Sequence, residues 1–152
     1  ARYGSTPKRA RALVFISVYR EKQKMRILII DDSHDITDLL VKVLTTVGHE
    51  VTPSDNGREG LAMINDGKFD LVFLDIAMPD FSGLDVIDKL VQSGRIGDSP
   101  IVLFTASSIT DTEVAELVKK GVHSCLRKPV RIETLFEKVE EIGKLRASAA
   151  KS

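Results

Sequence analysis

Short, mostly apolar runs recur along this chain, and each is followed at once by residues suited to polar chemistry. The runs occupy residues 27–30, 71–74, 101–104 and 123–126, and stretches with a helical pattern separate them. Runs of this length, dominated by Ile, Val, Leu and Phe, are typical of parallel strands buried on both faces. Strands that alternate with helices predict right-handed crossovers, which place helices on both faces of one parallel sheet.

Helical periodicity fills the intervals between the runs. The first helix has apolar residues at spacings of three and one, and Gly48 can end it. A second strand is expected at residues 49–54, and further helices at 58–65, from about 83, at 110–120 and from 132. The apolar faces predicted for the last three helices are Leu84, Ile87, Leu90 and Val91; Val114, Leu117 and Val118; and Ile132, Leu135, Phe136, Val139 and Ile142. We therefore expect an α/β fold with a single five-stranded parallel sheet and five helices on both faces.

The charge distribution divides the chain. Residues 1–24 carry seven Lys or Arg and one Glu, so their net charge is +6, and the rest carries −6 because the whole chain is neutral. We predict a basic extension at residues 1–24, a domain at 25–146 and a tail at 147–152. The extension is either native, as a solvated tail or a segment that docks on an acidic face or nucleic acid, or a remnant before a natural start at Met25.

The expected cellular location and the length of the chain limit the classes of function to consider. The apolar run in the extension is far too short to span a bilayer, and no small-residue cleavage site follows it, so we expect a cytoplasmic protein. The lone Cys125 cannot form an internal disulfide, which fits a reducing compartment. Few residues follow the last predicted helix, so we expect no DNA-binding domain and an output through the surface of the domain itself.

Five polar residues stand at the ends of the predicted strands: Asp31, Asp32, Asp75, Thr105 and Lys128. The carboxyl ends of parallel strands share one edge, and open α/β sheets bind ligands there. Asp75 can act as a carboxylate nucleophile that forms an aspartyl phosphate. Asp31 and Asp32 can hold Mg²⁺ or Mn²⁺, while Lys128 and Thr105 offer an ammonium and a hydroxyl to phosphoryl oxygens. The set predicts phosphoryl transfer.

Each of these residues also has an ordinary structural interpretation. An acid at a strand end often caps the next helix, a Thr often lies in a turn, and a Lys is usually a solvated charge. Their joint placement at one edge favours a site. Without a cation, the three carboxylates would repel one another by about 4 kcal/mol per pair at 4 Å and an effective dielectric of 20. We therefore expect Mg²⁺ to stabilise the fold.

The motifs resemble a known family. Residues 29–33 (Ile-Ile-Asp-Asp-Ser), 73–83 (from Phe-Leu-Asp to Phe-Ser-Gly), Thr-Ala at 105–106 and Lys-Pro at 128–129 are similar to CheY-like receiver domains of two-component response regulators. The match covers residues 25–146, and it implies the flavodoxin-like receiver fold. It also implies a cis bond before Pro129 and these roles: phosphoacceptor Asp75; metal ligands Asp31, Asp32, Asp75 and the backbone carbonyl of Ala77; switch hydroxyl Thr105; and phosphate-contacting Lys128.

The resemblance also implies partners. A sensor histidine kinase or a phosphotransfer protein would phosphorylate Asp75, and the domain would hydrolyse the phosphoryl group slowly by itself. Output would pass to a protein target through the fourth helix, fifth strand and fifth helix, and a homodimer is a further expectation. The chain would be a switch and not an enzyme that acts on an external substrate.

Two features depart from the family pattern. Cys125 stands where the family commonly has Tyr or Phe, so the usual rotation of a ring cannot occur and the readout must differ. Cys125 is either a small buried strand residue or a redox-sensitive thiol. Ala77 and Ser107 occupy the positions that tune how quickly water reaches the acyl phosphate, and both are small and uncharged.

Other functions fit the residues less well. A phosphohydrolase that turns over through an aspartyl phosphate needs a second acid two residues after the nucleophile, where this chain has Ala77. A flavin carrier of the same architecture needs a loop rich in Ser, Thr and Gly after the first strand, where Asp31 and Asp32 would repel the flavin phosphate. An interaction module without phosphorylation would not need the five-residue set.

Overall fold

The computed structural model describes residues 24–106 and 108–150, together with residues 8, 10 and 11. Most of the basic segment predicted at residues 1–24 lies outside the described residues, as does Ser107. The interpretations given to both stay predictions. Among the described residues, no helix is both long enough and apolar enough to cross a membrane. The expected cytoplasmic location stays a prediction as well.

Five parallel strands form one sheet in the order β2-β1-β3-β4-β5. They are β1 (Arg26–Ile30), β2 (Glu50–Ser54), β3 (Leu71–Leu74), β4 (Ile101–Thr105) and β5 (Ser124–Arg127). The apolar runs supply the three central strands, whereas the two edge strands are more polar. Pro53 lies in β2, where an edge strand tolerates the missing N–H. The predicted α/β fold is confirmed, with β5 one residue later than expected.

Five helices connect and follow the strands: α1 (His34–Thr46), α2 (Gly57–Asp66), α3 (Gly83–Gln92), α4 (Asp111–Lys120) and α5 (Ile132–Ala150). Capping boxes start two of them, with Ser82 and Asp85 at α3 and Thr110 and Glu113 at α4. The last helix is longer than its apolar pattern predicted, and it includes residues 147–150, which we had assigned to a tail.

Two hydrophobic cores lie on opposite faces of the sheet. On one face, Ile27 and Ile29 of β1 belong to a cluster with residues of α1 and α5. On the other face, Leu28 and Ile30 belong to a cluster with residues of α2, α3 and α4. Successive residues of a strand point to opposite faces, so a strand covered on both sides must be apolar throughout. This is the physical reason for the uninterrupted runs.

The helices α3 and α4 bury narrower apolar stripes than their patterns predicted. In α3 the buried apolar residues are Val86, Ile87 and Leu90, while Leu84 and Val91 are exposed. In α4 only Leu117 is buried, and Val118 is exposed. A helix that packs on a sheet covers only one side of its circumference, so apolar residues at the margins of the stripe remain in contact with solvent.

Candidate functional site

Three acids converge at the carboxyl ends of β1 and β3. These strands are neighbours, and Ile30 pairs in register with Leu74, so Asp31 and Asp75 follow at the same level of the sheet. One carboxylate oxygen from each of Asp31, Asp32 and Asp75 lies within 4.8 Å of the others. Asp31 and Asp75 are buried, whereas Asp32 is exposed. The structure thus brings together the three acids that the sequence singled out.

Asp31 is fixed from two sides. Its Oδ1 accepts a hydrogen bond from the backbone N–H of Ser33 at 2.9 Å, and its Oδ2 accepts one from Lys128 Nζ at 2.5 Å. The N-cap of α1 is Ser33, and no side chain makes the capping hydrogen bond there. Asp31 is therefore not the cap of α1. Its carboxylate faces the acid cluster.

Lys128 reaches the acids from the end of β5. Its Nζ lies 3.7 Å from Asp75 Oδ2 in addition to its contact with Asp31, and its side chain is only 11% exposed. The ammonium also lies 5.3 Å from the centre of the Phe104 ring, at a distance suited to a cation–π interaction. The peptide bond between Lys128 and Pro129 is cis, as the resemblance implied. Sequence reasoning missed Phe104, although its position directly before Thr105 was a signal.

Thr105 ends β4 and is fully buried. Its hydroxyl donates a hydrogen bond to the Asp75 carboxylate. Burial is the main cause that raises the pKa of Asp75, and the charge of Asp31 raises it further; Lys128, the Ala77 N–H and the Thr105 hydroxyl offset the rise only in part. Asp75 thus lies in a desolvated position, where its charge needs cations and donors.

The donor set fits a hard divalent cation. Mg²⁺ prefers carboxylate and carbonyl oxygens and keeps several waters, and the exposed Asp32 leaves one side of the cluster open to water. Among the described ion pairs, Lys128 is the one basic side chain on Asp31 and Asp75, so the three-carboxylate cluster has a single ammonium, which contacts two of the acids. The backbone N–H of Ala77 donates to Asp75 Oδ1 at 3.3 Å. The expected role of the Ala77 carbonyl stays a prediction.

Gly83 keeps the loop after Asp75 compact. A Cβ at this position would lie 2.4 Å from the backbone oxygen of Asp75 and 2.8 Å from the Cα of Ile76. The N–H of Gly83 donates to the Ile76 oxygen at 3.0 Å, which closes the loop between β3 and α3. The close approach of two backbones explains why the motif that ends at residue 83 has glycine there.

Cys125 is half-buried on β5, and burial is the main cause that raises the pKa of its thiol. The thiol is therefore predominantly protonated at neutral pH and a poor nucleophile, which favours the structural interpretation over the redox one.

A mostly apolar groove of about 350 Å³ opens beside the site, between α1 and α5. Leu39, Val43, Pro129 and Ile132 line it, and the Lys128 side chain forms part of its wall. Leu39 and Ile132 stand on the rims of this groove, and about half of each side chain is exposed, although Ile132 belongs to the apolar face predicted for the last helix.

Comparison with known proteins agrees with the fold. The family model of the response regulator receiver domain matches residues 27–140. Protein PilH of Pseudomonas aeruginosa is 31% identical over 117 residues, which are 77% of this chain and 96% of PilH. The uncharacterized transcriptional regulatory protein YrkP of Bacillus subtilis is 37% identical over 114 residues, which are 75% of this chain and 47% of YrkP. The chain therefore spans about half the length of that relative.

A comparison with solved structures also agrees with the fold. The response regulator protein TrrA from Thermotoga maritima, crystallised in complex with Mg²⁺-BeF, superposes with a TM-score of 0.65 at 33% identity. The similarity covers 77% of this chain and 97% of TrrA.

Proposed function

The chain belongs to the response regulator receiver domain family, and we propose that it is a phosphorylation switch in which Asp75 accepts the phosphoryl group. One observation carries the proposal: Asp75 is buried among Asp31, Asp32, Thr105 and Lys128 at one edge of the sheet. A nucleophile, oxygen ligands for a cation and two donors for phosphoryl oxygens are the parts that phosphoryl transfer needs.

The proposed step is a displacement at phosphorus. An oxygen of Asp75 attacks the phosphorus of a phosphohistidine or an acyl phosphate, and the bond from phosphorus to the donor breaks with its electron pair leaving on the donor. Lys128 Nζ, already 3.7 Å from Asp75, would contact an oxygen of the transferred group. The Thr105 hydroxyl would donate to another. Both stabilise negative charge that develops during transfer.

Asp31, Asp32 and Asp75 are the side chains that would hold Mg²⁺ or Mn²⁺. When bound there, the ion supplies positive charge that offsets repulsion between the acids and an incoming phosphoryl group. Lys128 now forms its closer contact with Asp31. Its Nζ lies 2.5 Å from Asp31 Oδ2 and 3.7 Å from Asp75 Oδ2, so Lys128 would shift from Asp31 toward Asp75 to contact the transferred group.

A sensor histidine kinase or a phosphotransfer protein is the proposed donor. The proposed output is contact with a protein target through α4, β5 and α5, and a homodimer is a further part of the proposal. We further propose that the chain hydrolyses its own acyl phosphate slowly and does not act on an external phosphate ester. Ala77 supports this, because its side chain cannot protonate a leaving group.

Acetyl phosphate tests this function without a kinase. Purified protein incubated with Mg²⁺ and acetyl phosphate should gain one phosphoryl mass, and Asp75→Asn should gain none. Asp80→Asn is the matched control, because Asp80 is an exposed acid in the same loop and its positive φ of 64° is well tolerated by Asn. Absence of both the adduct and donor turnover in the wild type would favour an interaction module. Rapid turnover without an adduct would instead favour a phosphohydrolase.

A further inference from the structure

Arg127, the last residue of β5, ties that strand to the start of α4. Its Nη1 donates to the backbone oxygen of Ile109 at 2.7 Å, and its Nη2 donates to Asp111 Oδ1 at 2.9 Å. Among the hydrogen bonds and ion pairs of the described residues, Arg127 is the β5 side chain that reaches the connection between β4 and α4.

The tied connection begins at Thr105. In the sheet, Thr105 and Arg127 are partners in register, and the backbone N–H of Lys128 donates to the Thr105 oxygen at 3.0 Å. The sheet therefore holds the first end of the connection, and the Arg127 guanidinium holds its far end at Ile109. A single residue links the two ends, since Arg127 is both the register partner of Thr105 and the donor to Ile109.

The helix that follows, α4, buries few of its side chains. Leu117 is its one buried residue, and its capping box joins Thr110 to Glu113 within the same turn, so it does not attach the helix to the sheet. At the amino-terminal end of α4, the bonds from Arg127 thus act beside one other attachment, the partly buried Ile109, which packs against the core. A planar guanidinium that makes two hydrogen bonds fixes direction as well as distance, which a lysine ammonium does less well.

We propose that Arg127 is a positioning residue that couples α4 to the phosphoacceptor site. By holding Ile109 and Asp111, it keeps the connection in the position in which the Thr105 hydroxyl meets Asp75. A change in Thr105 on phosphorylation is in turn transmitted to the first turn of α4. This coupling rests on the proposed function, and it assigns to Arg127 the link that a ring at position 125 cannot provide.

The two bonds differ in expected strength. The ion pair with Asp111 is exposed to solvent, since the Asp111 side chain is fully accessible, and such pairs contribute little. The bond from a charged donor to the Ile109 oxygen contributes more. Arg127→Ala should therefore slow phosphorylation by acetyl phosphate about five- to tenfold at saturating Mg²⁺. Asp111→Ala, which keeps the bond to Ile109, should slow it by less than about twofold.

Labelling rates and hydrogen exchange of residues 108–120 together test the coupling in the full chain. Arg131→Ala is the control, because it removes an exposed arginine four residues away. In the wild type and in Arg131→Ala, phosphorylation should change exchange in the first turn of α4. In Arg127→Ala the slower-labelled protein should lack that change. Arg127→Lys serves as a second variant should Arg127→Ala unfold, and it should label at an intermediate rate.

The outcomes separate the inference from the proposed function. Loss of the exchange response in Arg127→Ala, with equal thermal midpoints, supports the coupling. If Arg127→Ala is phosphorylated at a rate within twofold of the wild type and keeps the exchange response, the coupling is overturned and the proposed function is not. Equal slowing of phosphorylation in Arg131→Ala would also overturn the coupling. A merely structural role would raise exchange equally in both states and leave the response intact, which also overturns it. If the wild type itself is not labelled at Asp75, the proposed function fails and the coupling fails with it.

Discussion

His49, at the amino-terminal edge of the sheet, should make this domain sensitive to mild acid. The residue is 4% exposed, and its Nδ1 accepts a hydrogen bond from the backbone N–H of Met25 at 3.1 Å. Burial lowers the pKa of His49 to about 4, although the charge of Asp70 opposes the shift. Protonation would place a charge in the core and remove the acceptor that Met25 uses.

The direction and the magnitude of this pH dependence follow from the difference in proton binding between the folded and unfolded states. In the unfolded chain the imidazole titrates near pH 6.5, so between about pH 6.5 and 4 the unfolded state binds a proton that the folded state does not. Stability contributed by His49 is therefore present above pH 6.5 and is lost as the pH falls through this window. Between pH 7 and pH 5 the free energy of unfolding should fall by about 2 kcal/mol, and by about 3 kcal/mol once the pH is below 4.

Urea unfolding followed by circular dichroism at pH 7 and pH 5 measures the loss. His49→Gln is the matched variant, since its amide oxygen can accept from Met25 but does not titrate. The wild type should lose about 2 kcal/mol more than His49→Gln over this interval, because the other titrating groups are common to both proteins. Equal losses in the two proteins would refute the reasoning, since they would mean that His49 is protonated in the folded state or titrates alike in both states.

Two further predictions concern the site. Mg²⁺ should raise the thermal midpoint of the wild type by several degrees. Asp32→Asn should raise the midpoint of the metal-free protein, because it removes one of the repelling carboxylates, and it should weaken the response to Mg²⁺. An unchanged wild-type midpoint in melts with and without Mg²⁺ would count against a metal site. Gly83→Ala should lower the free energy of unfolding by at least about 2 kcal/mol, because the new Cβ would lie 2.4 Å from the Asp75 oxygen. Gly97→Ala should be nearly neutral, since a Cβ at Gly97 has no heavy atom within 4 Å. Equal urea midpoints for these two variants would contradict the close-approach argument.

The sheet could be predicted because strands that are buried on both faces appear in the sequence as uninterrupted apolar runs. The runs at 27–30, 71–74 and 101–104 are apolar at every position, and the structure places each in a central strand. The fifth strand begins and ends one residue later than predicted, because an edge strand that contains Ser124 and Cys125 shows no uninterrupted apolar run. Its register is set by pairing with β4, where Thr105 lies opposite Arg127.

For the site, the sequence predicted which residues come together but not the contacts that their side chains make. Parallel strands bring their carboxyl ends to one edge, so the convergence of Asp31, Asp75 and Thr105 followed from the order of strands and helices. The contact of Lys128 with both Asp31 and Phe104, and the bonds from Arg127 to the next helix, depend on side-chain rotamers and on the path of a loop. Hydrophobic periodicity carries no information about either.

The position of the phosphoryl group tests the central claim most directly. After incubation with Mg²⁺ and acetyl phosphate, borohydride reduces an aspartyl phosphate to homoserine, and mass spectrometry of the peptides locates the reduced residue. We predict homoserine at position 75 in the wild type, dependent on Mg²⁺ and unaffected by Asp80→Asn. Reduction at any other acid, or an adduct that persists in Asp75→Asn, would contradict the assignment of Asp75 as the phosphoacceptor.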